Sequence, residues 1–169
     1  MARIEVPAGD APESQRVWSL VPGLGEAVQG LTSAVATRRL LPPRVLEAAR
    51  MTIAHVNGCN VCMAWRVPAF AKHGVTEELY AHVDDPDAGD YSEQERLAIE
   101  YADKFALDHR SLDDAFFARM RSQFTDAEIV ELTAMIGNWL AFGRFQSVLD
   151  VAEACAWAPP RPEDEKLGV

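Results

Sequence analysis

PPRVLEAARMTIAHVNGCNVC, residues 42–62, combines a strong helix pattern with two closely spaced cysteines. Proline suits the first turn of a helix, so Pro42 and Pro43 predict a helix start. The apolar side chains that follow recur at the helical period of about 3.6 residues, which indicates a core-facing stripe. This stripe consists of Val45, Ala49, Thr52, Ile53 and Val56. Asn57-Gly58 then ends or kinks the helix directly before the cysteines.

The two cysteines stand three positions apart, as Cys59 and Cys62. We predict a helix that opens near Cys59 and runs to His73-Gly74, because a cation followed by glycine is typical of a helix C-terminus. Cysteines with this spacing at a helix start lie on one face, close enough for a disulfide. The helix N-terminus stabilises a thiolate and lowers the thiol pKa below its free value of about 8.5. The motif therefore predicts a reactive dithiol.

A second stripe of the preceding helix leads toward the cysteines. Glu47, Met51 and His55 follow one another at intervals of four residues, along a face distinct from the core stripe. Peroxide reduction needs a thiolate that attacks one oxygen and a proton donor for the departing alkoxide. A carboxyl group, an imidazole or a relayed water supplies such a proton. The side-chain types near the cysteines fit that chemistry.

The rest of the chain carries helix signals as well, whereas alternating β-branched runs that would predict strands are nearly absent. Capping boxes at residues 92–95 and 125–128 predict two further helix starts. The second of these helices is apolar nearly all round, which suggests a central or oligomer-buried element. We expect it to continue to Trp157, with Gly143 as a candidate break.

Length and composition predict one all-α domain. With 169 residues, of which 49% are apolar, the chain is long enough to bury one sizeable core. We expect the helical domain to span residues 14–158. Residues 1–13 and 159–169 are rich in proline, glycine or acidic side chains and are predicted to be flexible segments.

Charge and cysteine count restrict the partners and the compartment. A formal net charge of -10 argues against binding to nucleic acid or to an anionic membrane surface. Neither a signal-peptide core nor an apolar run of about 18 residues is evident, so we expect a cytoplasmic protein. Three cysteines are too few for a secreted disulfide framework, and Cys155 is left without an assigned role.

The cysteine region resembles the core of the alkylhydroperoxidase D-like, carboxymuconolactone decarboxylase-like superfamily. The resemblance lies in Glu47, eleven intervening residues, the motif Cys59-x-x-Cys62 and a helix that runs to Lys72-His73-Gly74. Two later helix starts, at residues 92–98 and 124–132, resemble this superfamily too, so the similarity covers about residues 20–157. The resemblance implies a single-domain bundle of about six to eight helices. It also implies a homo-oligomer, a trimer or hexamer.

The resemblance further implies a thiol-dependent peroxidase or disulfide oxidoreductase. Cys62 would attack the hydroperoxide and become a sulfenic acid, and Cys59 would close the disulfide. Glu47 would start the proton relay, a dithiol donor would restore both thiols, and no prosthetic group would be needed. The relay histidine of the superfamily is replaced by Arg66, which stays protonated and cannot pass a proton back and forth. His55, one turn before Cys59, is the candidate substitute.

Alternative interpretations exist for the same residues. His55, Cys59 and Cys62 would offer three zinc ligands, with Cys155 as a distant fourth, although a second paired-ligand motif is missing. Glu47 alone would be a solvated carboxylate or the ion-pair partner of Arg44 or Arg50. Arg66 would equally be an ion-pair residue, and His55 a structural histidine.

Two other functions compete with the peroxidase. The superfamily also permits a carboxymuconolactone decarboxylase-like enzyme, which gives no reason for two neighbouring cysteines. A non-catalytic helical oligomer, in which the cysteine pair acts only as a redox switch, is the third hypothesis. Titration of the thiols separates the classes, since a catalytic dithiol has a lowered pKa.

Overall fold

The computed structural model describes residues 2–37 and 40–151, which contain eight α-helices, three 3-10 helices and no β-strand. The α-helices are α1 (Glu13–Arg16), α2 (Pro22–Thr37), α3 (Pro43–Val56), α4 (Asn60–Ala64), α5 (Glu77–Ala81), α6 (Glu93–Leu107), α7 (Asp114–Gln123) and α8 (Asp126–Leu149). The 3-10 helices are Val17–Leu20, Pro68–His73 and His109–Ser111. The all-α prediction is confirmed, with slightly more helical segments than expected.

Helix α3 lies at the centre of the fold. Its residues 45–54 are all buried, so the helix has core contacts on every side and not along one stripe only. One side, which includes Ala49 and Ile53 of the predicted stripe, packs against α6, α7 and α8. The opposite side, with Ala48 and Met51, packs against α5 and its neighbouring segments. Helix α3 therefore joins two apolar clusters.

Both predicted capping boxes are present. The Ser92 hydroxyl accepts a hydrogen bond from the Glu95 N–H at 3.2 Å, and the Glu95 carboxylate accepts one from the Ser92 N–H at 2.9 Å. The box at residues 125–128 has the same reciprocal pattern and opens α8. These caps satisfy backbone donors that the first helical turn leaves without an internal partner.

Helix α8 runs unbroken through Gly143 and ends earlier than predicted. Its last residue is Leu149, and Asp150 takes the left-handed conformation with φ 54°. Such a residue commonly terminates a helix. The predicted extension to Trp157 is therefore wrong. Trp157, Cys155 and the predicted tail at residues 159–169 lie outside the described residues.

The segment after the cysteines also departs from the prediction. Helix α4 has only five residues, and the chain then runs extended through Val67 into the 3-10 helix that ends at His73. Pro68 explains the interruption, because proline pushes the preceding residue toward extended conformations and cannot donate a helical hydrogen bond. Gly74 follows with φ +77°, as the predicted C-terminal signal requires.

The N-terminal part of the chain lies against α8. Trp18 stacks on Phe145 with ring centroids 4.5 Å apart, and the Arg3 N–H donates to the Leu149 carbonyl at 2.9 Å. Flexibility of residues 1–13 stays a prediction. Within residues 2–37 and 40–151, no helix combines the length and apolar character needed to cross a membrane.

Candidate active site

The turn between α3 and α4 fixes the position of Cys59. The Gly58 N–H donates to the His55 carbonyl at 2.9 Å, and the Cys59 N–H donates to the Ala54 carbonyl at 3.0 Å. This pair of bonds is a Schellman motif, which requires a left-handed residue at Gly58, where φ is +59°. Cys59 is thus both the residue that completes the end of α3 and the N-cap of α4.

Cys59 and Cys62 are joined by a disulfide, with their Cα atoms 5.2 Å apart. Cys59 is only 1% exposed, whereas Cys62 is half-buried. The Cys62 N–H donates to the Cys59 sulfur at 3.2 Å. Because α4 has only five residues, this local N–H, and not the dipole of a long helix, is the main backbone stabilisation that the helix start offers to sulfur.

Glu47 is buried in a ring of hydrogen-bond donors, with 3% of its surface exposed. The Arg50 guanidinium donates from Nε at 3.0 Å and from Nη2 at 2.8 Å, and the Tyr80 hydroxyl donates at 2.8 Å. The ion pair foreseen with Arg50 is therefore confirmed. Arg44, the other candidate partner, instead pairs with Glu95 at 2.6 Å.

Arg50 connects this carboxylate to the cysteine motif. Its Nη1 donates to the Cys62 carbonyl at 2.6 Å, and its Nη2 donates to the Trp65 carbonyl at 3.2 Å. Carbonyls at the end of a helix lack internal donors, so a guanidinium at this position stabilises the helix end. A single side chain, that of Arg50, therefore connects the Glu47 carboxylate to the backbone of the cysteine motif.

Arg66 and Tyr80 complete the cluster. The Arg66 guanidinium carbon lies 4.0 Å from the centroid of the Tyr80 ring, and Arg66 pairs with Glu77 at 2.7 Å. The ion-pair interpretation of Arg66 is confirmed, and its hydrogen bond to Glu77 raises the pKa of the guanidinium further. Burial and the Glu47 carboxylate raise the pKa of the Tyr80 phenol well above its usual range. The phenol therefore stays protonated and donates to Glu47.

His55 lies in the last turn of α3 and is half-buried. Its Nδ1 is 2.7 Å from a carboxylate oxygen of Asp84, a residue that is itself well exposed. A carboxylate bonded to Nδ1 favours the tautomer that leaves Nε2 as a proton acceptor. The relay role of His55 stays a prediction, and Asp84 is the residue that would orient it.

The zinc alternative has no geometric support among the residues that the structure describes. Within them, no group of three or more His, Cys, Asp or Glu side chains is placed to hold a metal ion. The disulfide also occupies both sulfurs that would have been ligands.

Sequence reasoning missed two of these side chains. Tyr80 lies 33 positions from Glu47, and Asp84 lies 29 positions from His55, so both contacts depend on how α3 packs against the segment after α4. Tyr80 is the fourth of the five residues of α5 and follows the buried Leu79, and the sequence carries no signal that separates a buried polar partner from an ordinary core residue.

Comparisons with known proteins give two sets of relatives. The chain is 28% identical over 145 residues to the uncharacterised protein YnjA of Escherichia coli (strain K12), covering 85% of this chain and 80% of YnjA. It is 31% identical over 118 residues to the uncharacterised protein Rv2313c of Mycobacterium tuberculosis (strain H37Rv), but the match spans only 42% of that protein. No family model matches the chain.

Solved structures show the likeness more fully. The alkylhydroperoxidase AhpD core of a peroxidase-related protein from Ralstonia eutropha JMP134 aligns with TM-score 0.69 and 15% identity, over 96% of this chain and 94% of that one. ATU0492 from Agrobacterium tumefaciens, a protein of unknown function with a suggested role as the antioxidant defence protein AhpD, aligns with TM-score 0.63 and 24% identity, over 85% and 95%. The debrominase Bmp8 aligns with TM-score 0.67 and 18% identity, over 92% and 81%. The chain therefore has the fold of the alkylhydroperoxidase D-like superfamily, as the motif resemblance predicted.

Proposed function

We propose that the chain is a thiol-dependent peroxidase in which Cys59 and Cys62 reduce a hydroperoxide. The observation that carries this proposal is the Cys59–Cys62 disulfide, in which one sulfur is buried and the other belongs to a partly exposed residue. A substrate reaches the more exposed cysteine first, so Cys62 is the attacking cysteine and Cys59 the resolving one.

The cycle balances with two thiols and one peroxide. The Cys62 thiolate attacks one peroxide oxygen, the O–O bond breaks, and the departing alkoxide takes a proton to leave as an alcohol. Cys62 is then a sulfenic acid. The Cys59 thiol attacks that sulfur, forms the disulfide and releases water. A dithiol donor reduces the disulfide by thiol–disulfide exchange and is itself oxidised to a disulfide.

We assign Glu47 as the proton acceptor in the first step. The Arg50 guanidinium and the Tyr80 hydroxyl both donate to its carboxylate, which places Glu47 in one hydrogen-bond network with the cysteine motif. Tyr80 and Cys62 pack in the same apolar cluster, and a hydroxyl both donates and accepts. We assign Tyr80 as the link between them. The His55–Asp84 pair supplies a second acid–base group one turn before Cys59.

The test measures consumption of an organic hydroperoxide in the presence of dithiothreitol. Cys62→Ser abolishes turnover because the attacking sulfur is gone, and Glu47→Gln slows it by about a hundredfold, within the range of lost acid–base catalysis. Cys155→Ser, which removes the third thiol, leaves turnover unchanged and serves as the control. Turnover that survives in Cys62→Ser would contradict the assignment.

The proposal extends to assembly and location. Val130, Ala134, Ala141 and Val148 lie along one face of α8 and are all exposed. An apolar helix face of this kind fits burial against another copy of the chain, so we propose a homo-oligomer. The cycle consumes a dithiol, which a reducing compartment supplies, so we propose a cytoplasmic location.

A further inference from the structure

The turn that carries Cys59 is attached to α8 through one side chain. Asn57, which ends α3, donates from its amide nitrogen to the Trp139 carbonyl at 3.1 Å. Its amide oxygen accepts from Arg144 Nε at 3.1 Å, and its backbone carbonyl accepts from the Ser147 hydroxyl at 3.4 Å. Three groups of one residue thus contact two turns of a helix more than 80 positions away in sequence.

Gly143 makes this contact possible. A Cβ atom built at residue 143 would lie 2.4 Å from the Asn57 amide nitrogen, a distance that real Cβ atoms do not reach. In a helix, a side chain covers the turn on the N-terminal side of its own Cα. The missing side chain therefore leaves the Trp139 carbonyl open, and the Asn57 amide occupies that space.

A single residue, Gly58, connects Asn57 to the first cysteine of the dithiol. Gly58 follows in the left-handed conformation, and the Cys59 N–H completes the Schellman motif with the Ala54 carbonyl. Cys59 then caps α4, whose third residue, Cys62, accepts the hydrogen bond from Arg50 at its carbonyl. A displacement of Asn57 is transmitted to the backbone of Cys59 because only Gly58 separates them and the Gly58 and Cys59 N–H groups are both hydrogen-bonded to the end of α3.

We infer that Asn57, whose amide occupies the space left by the missing side chain of Gly143, is a positioning residue. It holds Cys59 where it bonds Cys62 and thereby sets the redox equilibrium of the dithiol. The inference rests on the proposed function only in taking the pair as redox-active. Holding two thiols close together raises their effective concentration for disulfide formation, in the same way that orientation speeds any intramolecular reaction. Loss of the contacts between Asn57 and α8 therefore shifts the redox equilibrium toward the dithiol.

The contacts between Asn57 and α8 stabilise the oxidised and the reduced protein to different extents. Loss of a residue that only stabilises the fold lowers the stability of the oxidised and reduced proteins equally and leaves their redox equilibrium unchanged. A residue that positions Cys59 against Cys62 stabilises the oxidised state more, because the disulfide demands a defined sulfur geometry and the dithiol does not. The difference appears directly in the equilibrium constant with glutathione.

The experiment equilibrates the full chain with mixtures of reduced and oxidised glutathione and traps free thiols for counting. Each disulfide reduced consumes two glutathione molecules and yields one glutathione disulfide, which defines the equilibrium constant. We expect Asn57→Ala and Gly143→Ala to shift that constant about tenfold toward the dithiol, a change of about 30 mV for a two-electron couple. Gly137→Ala, in the same helix as Gly143, is the matched control, since a Cβ there lies an ordinary 3.9 Å from Phe105 of α6.

Asn57→Asp is a further variant in the same experiment, and it tests the contact with α8 without changing the size of the side chain. It keeps the acceptor for Arg144 and loses the donor to α8, so a shift of the same sign and smaller size is expected. Circular dichroism of each variant confirms that the helices are formed. If Gly143→Ala fails to fold, the two Asn57 substitutions decide the question.

The outcomes separate this inference from the proposed function. Variants that fold and keep the wild-type equilibrium constant overturn the positioning role of Asn57, whatever the peroxide assay gives. A wild-type protein that forms the disulfide but consumes no hydroperoxide overturns the proposed peroxidase activity and does not affect the positioning role of Asn57. A wild-type protein that stays in the dithiol form at every glutathione ratio overturns both.

Discussion

Tyr80 contacts the buried Glu47 carboxylate and belongs to the apolar cluster against which Cys62 packs. Its hydroxyl donates to Glu47 at 2.8 Å, and the guanidinium carbons of Arg50 and Arg66 lie 5.8 and 4.0 Å from the centroid of its ring. Burial and Glu47 raise its phenol pKa, so it is protonated at neutral pH. A protonated hydroxyl bonded to a carboxylate is suited to moving a proton between sulfur and Glu47.

Tyr80→Phe removes this hydroxyl and keeps the ring. We expect oxidation of Cys62 by hydroperoxide to slow about tenfold or more, because the relay loses its link. Stopped-flow measurement of the reduced protein with excess hydroperoxide gives this rate. Tyr91→Phe is the control, since Tyr91 is a buried tyrosine of the same cluster whose hydroxyl donates to the Leu79 carbonyl instead. Equal rates for wild type and Tyr80→Phe would remove Tyr80 from the relay.

Much of the local arrangement follows from sequence at the residue scale. Asn57-Gly58 predicted the end of α3, because a left-handed residue there needs glycine. The spacing of Cys59 and Cys62 predicted the disulfide. Contacts made by packing were not predictable in this way. The stripe through Glu47 was expected to be separate from the core, yet Glu47 is buried and its partner Tyr80 comes from another helix.

At the scale of elements, strong local signals gave correct helix starts, and competing signals gave wrong ends. Pro43 opens α3, and the two capping boxes open α6 and α8, as expected. The helix after Cys59 was predicted to reach His73 because of the cation and the glycine at its far end, and Pro68 interrupts it. Proline acts on the residue before it, and Val67 is indeed extended. Helix α8 ended before Trp157 at a non-glycine left-handed residue, Asp150, which carries no clear sequence signal.

The start of α6 anchors the loop before it through Glu95. Arg44 bonds this carboxylate and also donates to the carbonyls of Gly74 and Asp90 at 2.7 and 2.9 Å, so one ion pair joins three segments. Burial alone would raise the pKa of Glu95, but the hydrogen bonds and charge of Arg44 and the hydrogen bonds of Ser92 outweigh it and lower that pKa. The ion pair therefore stabilises the fold above the ordinary carboxyl pKa of 4.5, and the stabilisation is lost as pH falls through the lower folded value.

Glu95→Gln tests this coupling. We expect the free energy of unfolding to fall by about 1–3 kcal/mol at neutral pH, because Arg44 loses a charged partner. The difference from wild type should shrink in acid, where the wild-type carboxylate is itself protonated. Urea unfolding at neutral and acidic pH measures both values. Glu93→Gln, at an exposed position of the same first turn, is the control. A difference that stays constant across this pH range would contradict the coupling.

For the whole molecule, the apolar face of α8 predicts assembly. Val130 is 68% exposed and Val148 is 60% exposed, on the side of α8 that also presents Ala134 and Ala141. Val130→Lys should dissociate the oligomer, because burying an unpaired ammonium in an apolar interface costs several kcal/mol. Sedimentation velocity reports the change. Leu107→Lys, at a residue 64% exposed on α6, should leave the assembly intact. A wild-type protein that sediments as a monomer at all concentrations would contradict the proposed interface.

The central claim, that Cys59 and Cys62 form a redox-active pair that reduces peroxide, is tested most directly by mass spectrometry of the reduced protein after one equivalent of hydroperoxide. The account predicts one alcohol per chain, loss of both thiols and a peptide bridged between Cys59 and Cys62, whereas Cys59→Ser stops at a sulfenic acid on Cys62. Thiols that remain free, or an oxygen adduct on another residue with the pair intact, would contradict it.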